Sequence, residues 1–315
     1  MNNWQPGISQ DSLRQRSRLL AGLRSFFQQR DLIEVDVPVL ATTSVTDLNI
    51  ESISTSVSQR AGYLQTSPEY FMKRLLASGS GDIFCLGKAF RSGEAGDRHN
   101  PEFTLLEWYR CGWDEHQLMD EVAELICSLM PDTAIEKFTY AKLFARHLQL
   151  DPHRAELSQL QQLAVEAGSP AWADESRANC LDLLFSVVVE PQLPRGLVFV
   201  CDYPACQAAL AECFTDSEGH SVSRRFEAFL NGMELANGYY ELTSVEEQSK
   251  RFAEDQRGRR AAGKPQMEVD QRLLAALESG LPKCAGVALG VDRLLMQMTG
   301  ATSIDQVLPF SWQRC

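Results

Sequence analysis

Apolar positions along the chain recur at two spacings, and each spacing predicts an element. Over residues 9–30, Leu13, Leu19, Leu20, Leu23, Phe26 and Phe27 recur at helical intervals and predict an amphipathic helix. Ile33-Glu34-Val35-Asp36-Val37 alternates as a half-buried strand does, and Pro38 ends it. Ser67-Pro68-Glu69 reads as a helix start: an N-cap, a proline in the first turn, then an acid near the positive dipole end. Residues 83–90 and 102–110 predict two strands around a polar loop, and 116–130 a helix. Residues 137–195 read as mostly helical and carry no chemical signature. Further strands are predicted over 197–201, 225–230 and 285–289. Ser244-Val245-Glu246-Glu247 predicts a capping box ahead of a charged helix, and Gly290-Val291-Asp292-Arg293 leads into the last one. No internal repeat or linker interrupts the 315 residues, so one mixed domain is the simplest expectation.

Composition narrows the class. With 44% hydrophobic and 23% charged residues, the chain has material for a sizeable core. Its apolar runs, such as 181–190, are cut by charge or proline well short of a membrane span. Met1-Asn2-Asn3-Trp4-Gln5-Pro6 has neither a basic nor an apolar region, so no secretory signal is visible. Nine cysteines lack regular spacing, and the Cys201, Cys206, Cys213 cluster does not match zinc ligation. Reduced thiols and a cytoplasmic location are expected. A net charge of −12 argues against a broad nucleic-acid-binding surface. A local basic patch at Arg251, Arg257, Arg259, Arg260 and Lys264 stays open, with an exposed helix of alternating charge as the other explanation.

Three segments carry candidate chemistry. In the first, residues 90–109, alternation puts Phe103, Leu105, Glu107 and Tyr109 on one strand face. An aromatic plate, a carboxylate and a phenol on one wall suit an adenine ring and a cationic ligand. The preceding loop offers Arg91, Arg98 and His99 to phosphate oxygens. A plain hairpin with a charged surface loop would read the same way. In the second, Asn231-Gly232 sits between alternating apolar residues, a strong hairpin signal. A two-residue loop sets Phe229 opposite Glu234 and Glu227 opposite Ala236. Glu227 and Glu234 then share a face as diagonal neighbours. Two facing carboxylates repel unless a cation or proton separates them, and nucleotide-bound Mg2+ would do so. Solvent-facing acids are the alternative. Asn237 and Glu241 follow, with groups suited to an ammonium. The third segment, 286–293, has small residues that let a ligand approach the strand, with Arg293 aimed from the helix start; packing alone would also explain them.

Taken together and in this order, the segments resemble motifs 2 and 3 of the class II aminoacyl-tRNA synthetases, with the amino-acid-binding strand between them. Residues 26–40 resemble motif 1, the dimer-forming element of that class. Thr66-Ser67-Pro68-Glu69-Tyr70, Arg98-His99-Asn100-Pro101-Glu102-Phe103-Thr104 and Glu234-Leu235-Ala236-Asn237-Gly238 resemble lysyl-tRNA synthetases most closely. The likeness covers about residues 20–309. It implies an α+β fold, a mixed and mostly antiparallel sheet flanked by helices, and ATP with Mg2+ as co-substrate and metal. It also implies roles. Arg91 would bridge the α-phosphate and the amino-acid carboxylate. Phe103 and Arg293 would sandwich adenine, with Arg98 and Asn100 on phosphate and base edges and Ser92 and Gly93 beside them. Glu227 and Glu234 would hold Mg2+, while Leu235 and Gly290 would line the nucleotide pocket. Ser67, Pro68, Glu69, Glu107, Tyr109, Asn237, Glu241 and Ala288 would form the amino-acid pocket.

Departures from the synthetase pattern direct the expectation further. Motif 1 begins almost at the N-terminus and fifteen residues follow Gly300, which leaves no room for an anticodon-binding domain at either end. Whole-tRNA binding is therefore not expected. The chain is similar to a free-standing family of protein-modifying ligases, through Leu106-Glu107-Trp108-Tyr109-Arg110 and Gly286-Val287-Ala288-Leu289-Gly290-Val291-Asp292-Arg293. Members pass an activated (R)-β-lysyl group to a lysine ε-amine of elongation factor P. Ala288 stands where lysyl-tRNA synthetases have glycine, and its methyl would suit an amine displaced by one carbon. Gly93 stands where motif 2 has glutamate, so either the loop shifts onto Glu94 or Gly93 gives backbone contacts alone. Asp31 replaces a motif 1 glycine. The alternatives are a tRNA-independent lysine-activating ligase for another acceptor, and an inactive regulatory module that Arg91, Glu227, Glu234 and Arg293 argue against.

Overall fold

A computed structural model describes residues 4–315; Met1, Asn2 and Asn3, part of the stretch read for a secretory signal, lie outside them. In chain order, helix α1 (Gln10–Gln28) precedes β1 (Ile33–Glu34), β2 (Leu40–Ala41), β3 (Ser54–Val57) and β4 (Arg60–Leu64), then α2 (Glu69–Ala77), β5 (Ile83–Phe90) and β6 (Glu102–Cys111). Helix α3 (Glu115–Leu129), β7 (Ile135–Thr139), α4 (Tyr140–Leu148), α5 (Leu157–Ala167), α6 (Arg177–Leu184), β8 (Leu197–Pro204), β9 (Cys213–Thr215), β10 (Ser221–Leu230) and β11 (Met233–Tyr240) follow. The chain closes with α7 (Val245–Ala261), α8 (Gln271–Gly280), β12 (Cys284–Gly290) and α9 (Val291–Thr299). Two compact units result: one runs to Trp113 and resumes over Leu242–Cys315, and the other is Asp114–Glu241.

In the first unit β5 pairs antiparallel with β6 and β6 with β12, while short β1 joins β5 in parallel. Alternation along β6 sorts the two faces. Trp108 stands on one, where Phe27 of α1 packs 5.0 Å from it and 4.9 Å from Phe84. On the other, Tyr109, Ile83 and Cys85 pack against Met72 and Leu76 of α2 and Leu277 of α8. The stripe of α1 is narrower than predicted: Leu13 is exposed, and Arg16 is buried alongside Leu19, Leu23, Phe26 and Phe27. The predicted strand 33–37 shrinks to Ile33–Glu34, with Ile33 itself exposed, because only one neighbour pairs with this edge. Asp31 adopts φ 59°, a left-handed turn between α1 and β1 that aspartate tolerates.

In the second unit β10 pairs antiparallel with β8, β9 and β11, and β7 runs parallel to β8. Helices α4, α5 and α6 and the turn after α6 cover one face through Tyr140, Phe144, Leu160, Leu181 and Phe185, in one cluster with Val198, Val200 and Phe229. Asn231 and Gly232 both take positive φ, 52° and 78°, as the tight hairpin turn demands.

Two helix starts differ from expectation. Helix α2 begins at Glu69 with Pro68 in the cap position, and Ser67 Oγ accepts from Glu69 N at a long 3.4 Å. At α7, Ser244 Oγ accepts from Glu247 N, but the Glu247 side chain turns to Arg251, so half of the capping box forms. The candidate basic patch does not form as one surface either. Arg259 is fully buried, bonding Glu51, the Asp47 carbonyl and the Pro265 carbonyl, and Lys264 pairs with Glu51. Fixing the 47–51 segment engages these cations. All nine cysteines are free thiols, and no cluster of metal-ligating side chains occurs among the described residues.

Candidate active site

In the first unit, β6 delivers the predicted face. Tyr109 donates its hydroxyl to Glu107 Oε1 at 2.8 Å, and both side chains are buried. Glu107 lies between Cys85 of β5 and Ala288 of β12, so the Ala288 methyl stands beside the carboxylate. At the other end of that face the Arg91 guanidinium lies 5.2 Å from the Phe103 ring centre. A cation above an aromatic plate and a buried acid further along one strand can receive an anionic aromatic ligand and a cationic one in sequence. Glu69 accepts from the buried Lys73 at 2.7 Å, one helical turn on, which orients its carboxylate.

Gly93 takes φ 78°, and Glu94 turns back to Arg91 at 3.6 Å. Glu94 thus lies beside the arginine, and Gly93 forms the turn before it. Ser92 is tied through its backbone N–H to the Glu51 carbonyl at 2.7 Å. Arg293, in the first turn of α9, donates to His99 Nε2 at 2.6 Å and to the Arg98 carbonyl at 3.4 Å. Burial and the adjacent Arg293 cation hold His99 below the usual imidazole range, which leaves Nε2 free to accept. Asn100 differs from expectation in its contacts: its side chain bonds the Glu102 carbonyl and the Trp312 N–H.

The second unit places Glu227, Glu234, Asn237 and Glu241 along one hairpin. Phe229 pairs with Glu234 as predicted, but Glu227 pairs with Asn237, not Ala236. Leu235 is the extra residue of a bulge, and it is buried. Opposed residues share a face, so Glu227, Glu234 and Asn237 still project together. Glu227 accepts from the Tyr203 hydroxyl at 2.6 Å and from Arg225. Burial raises its pKa; Arg225 pulls it down, and the Glu234 charge pushes it up again. Two facing carboxylates and one buried amide oxygen, Asn237 Oδ1 without a partner, form an oxygen-rich face suited to a hard cation or an ammonium. Glu241 is buried on the same alternation.

Sequence reading missed Arg16, Thr104, Tyr203 and Arg225. Arg16 donates to Asp292 Oδ1 at 2.6 Å and to Thr104 Oγ1 at 2.7 Å, and Thr104 N donates to Asp292 Oδ2 at 2.7 Å. One signal existed: Arg16 lies on the helical stripe of Leu19, Leu23 and Phe27.

The described residues thus carry an arginine-bearing loop and an aromatic–acid strand in the first unit, and a paired-carboxylate hairpin in the second. The chain belongs to the class II tRNA synthetases of the D, K and N group, whose family model matches residues 6–314. Within that family it is similar to proteins named elongation factor P–(R)-β-lysine ligase. The relative from Pasteurella multocida is 45% identical, over 98% of this chain and 97% of its own length. Those from Yersinia enterocolitica and Pectobacterium carotovorum are each 44% identical, over 98% and 99% of this chain and 97% and 98% of theirs. The mixed, mostly antiparallel sheet flanked by helices is therefore the class II synthetase fold.

Proposed function

We propose that the chain is an ATP-dependent ligase that activates (R)-β-lysine as an acyl-adenylate and transfers it to a lysine ε-amine of elongation factor P. The observation that carries this reading is the β6 face, with Arg91 over Phe103 at one end and the Tyr109–Glu107 bond at the other. The relatives' names supply the acceptor.

In the first step a lysyl carboxylate oxygen attacks the α-phosphorus of ATP, and pyrophosphate leaves. Arg91 neutralises the charge that grows on the α-phosphate oxygens. In the first unit Phe103 and Arg293 hold adenine, with Arg98 and the Ser92–Gly93 backbone along the phosphates and Gly290 at the nucleotide; in the second, Leu235 serves the nucleotide. In the first unit Ser67, Pro68, Glu69, Glu107, Tyr109 and Ala288, and in the second Asn237 and Glu241, serve the amino acid. Glu227 and Glu234 would hold Mg2+, which supplies charge neutralisation at the phosphates; two carboxylates with phosphate oxygens match its preference. In the second step the acceptor amine attacks the acyl carbon, AMP leaves, and the amine gives up a proton. That step needs positioning more than a new base.

The class II domain matched over residues 6–314 suffices for this chemistry. The motif 1 resemblance, with exposed Ile33, Val39 and Leu40, supports a homodimer. No helix among the described residues is long and apolar enough to cross a membrane, and a cytoplasmic location fits an acceptor in translation. ATP–pyrophosphate exchange with α-lysine and with (R)-β-lysine tests activation, and a mass increase on elongation factor P tests transfer. Absence of exchange with either amino acid would overturn the reading. Exchange without the mass increase would move the acceptor elsewhere.

A further inference from the structure

Across residues 91–100 of the β5–β6 loop, nine residues are exposed or half-buried and Asn100 alone is buried. Its carboxamide is bound at both ends. Nδ2 donates to the Glu102 carbonyl at 2.6 Å, and Oδ1 accepts from the backbone N–H of Trp312 at 2.9 Å. Earlier in the loop, the Asp97 carbonyl accepts from Ile304 N at 2.7 Å. Both outside partners belong to one C-terminal stretch. It is anchored by the buried side chains of Ile304, Val307 and Leu308 and by Gly7 N donating to the Pro309 carbonyl at 2.9 Å.

Between these two ties lie Arg98 and His99, the residues that meet Arg293. An exposed loop of this length has many conformations, and each tie to a packed segment removes some of them. We propose that residues 304–312 brace the nucleotide loop, with the Asn100 carboxamide and the Trp312 N–H as the closing pair. Asn100 is then a positioning residue: its side chain holds the loop and is not available to read a base edge. Trp312 acts through its backbone N–H, and the residue as a whole is 67% exposed. The inference rests on the reading of Arg98, Phe103 and Arg293 as ATP-binding residues.

The geometry permits a clean test. Trp312 opens a short 3-10 turn, and Ser311 before it is extended at φ −82° and ψ 170°. Proline is tolerated at such a first position and favours an extended predecessor. Trp312→Pro therefore deletes the N–H donor with little backbone cost, and Trp312→Ala deletes the indole while keeping the donor. ATP affinity of the full chain is read by calorimetry and, with lysine present, by the KM for ATP in pyrophosphate exchange. Loss of one hydrogen bond predicts weakening of about three- to tenfold in Trp312→Pro, with the lysine KM unchanged. Trp312→Pro added to Asn100→Ala is expected to weaken ATP no further. A destabilised fold would instead lower kcat for both substrates and leave the KM values alone. Equal ATP affinity in Trp312→Pro and Trp312→Ala, or full additivity with Asn100→Ala, overturns the proposal. Should the wild type bind ATP yet show no exchange, the ligase reading fails while calorimetry still decides this one.

Discussion

Arg16 of α1 and Asp292 of α9 form a buried ion pair at 2.6 Å, although 276 residues separate them in sequence. The second oxygen of Asp292 accepts from Thr104 N on β6, so one carboxylate fixes three elements beside Arg293. Removing one partner of a buried pair strands the other charge, at a cost of about 3–5 kcal/mol. Asp292→Ala is expected to lower the melting temperature by several degrees. The Arg16→Ala/Asp292→Ala double variant should lose less than the sum of the two single losses. Thermal unfolding of the four proteins checks this, and additive losses would show that the pair is not coupled.

His99 gives a pH dependence whose sign follows from its lowered pKa. Between that value and the ordinary imidazole value of about 6.5, the unfolded chain binds more protons than the folded one. Stability should therefore rise with pH across this window and level off above it. Protonation turns Nε2 from an acceptor into a donor and breaks its bond with Arg293. In Arg293→Ala the cation is gone, and His99 should titrate at higher pH by NMR. An unmoved titration would remove Arg293 as a cause.

Asn237 Oδ1 is buried without a partner, and Glu241 is buried on the same strand face. If both bind ammonium groups, Glu241→Ala abolishes lysine-dependent pyrophosphate exchange. Asn237→Ala should raise the lysine KM by about tenfold, the scale of one charge-assisted hydrogen bond. ATP affinity should be unaffected in both. Retained lysine-dependent exchange in Glu241→Ala would take that residue out of the pocket.

Ala288 pairs directly with Glu107 across β12 and β6. A single methyl group at such a place shifts discrimination by about tenfold or more. Ala288→Gly should raise the ratio of kcat/KM for α-lysine over (R)-β-lysine by about that factor. An unchanged ratio would assign the preference to other residues.

Much of this molecule is readable from its sequence because local rules and tertiary structure agree there. Strand alternation put Glu107 and Tyr109 on one face, and the Tyr109–Glu107 bond follows from it. The Asn231-Gly232 turn was fixed by its backbone requirement. What local rules missed depends on distant partners. Arg259 reads as a surface helix cation until the 47–51 segment covers it. Asn100 reads as a ligand-binding amide until Trp312, 212 residues away, supplies a donor. The register beyond Leu235 was off by one because nothing in the sequence marks a bulge there.

That bulge has a consequence for how the hairpin tolerates change. In a regular strand, residues three apart point to opposite faces, so Glu234 and Asn237 could not act together. The inserted residue resets the phase: acids read in one frame before Leu235 and amide and acid in another after it. Deleting Leu235 would leave Glu234 and Asn237 two apart in a regular strand and still on one face, because the bulge only absorbs the extra residue. Inserting a residue of β10 opposite Leu235 would instead pair the bulge away and turn Asn237 to the other face, so that insertion, not a side-chain change, separates a working face from a merely folded one.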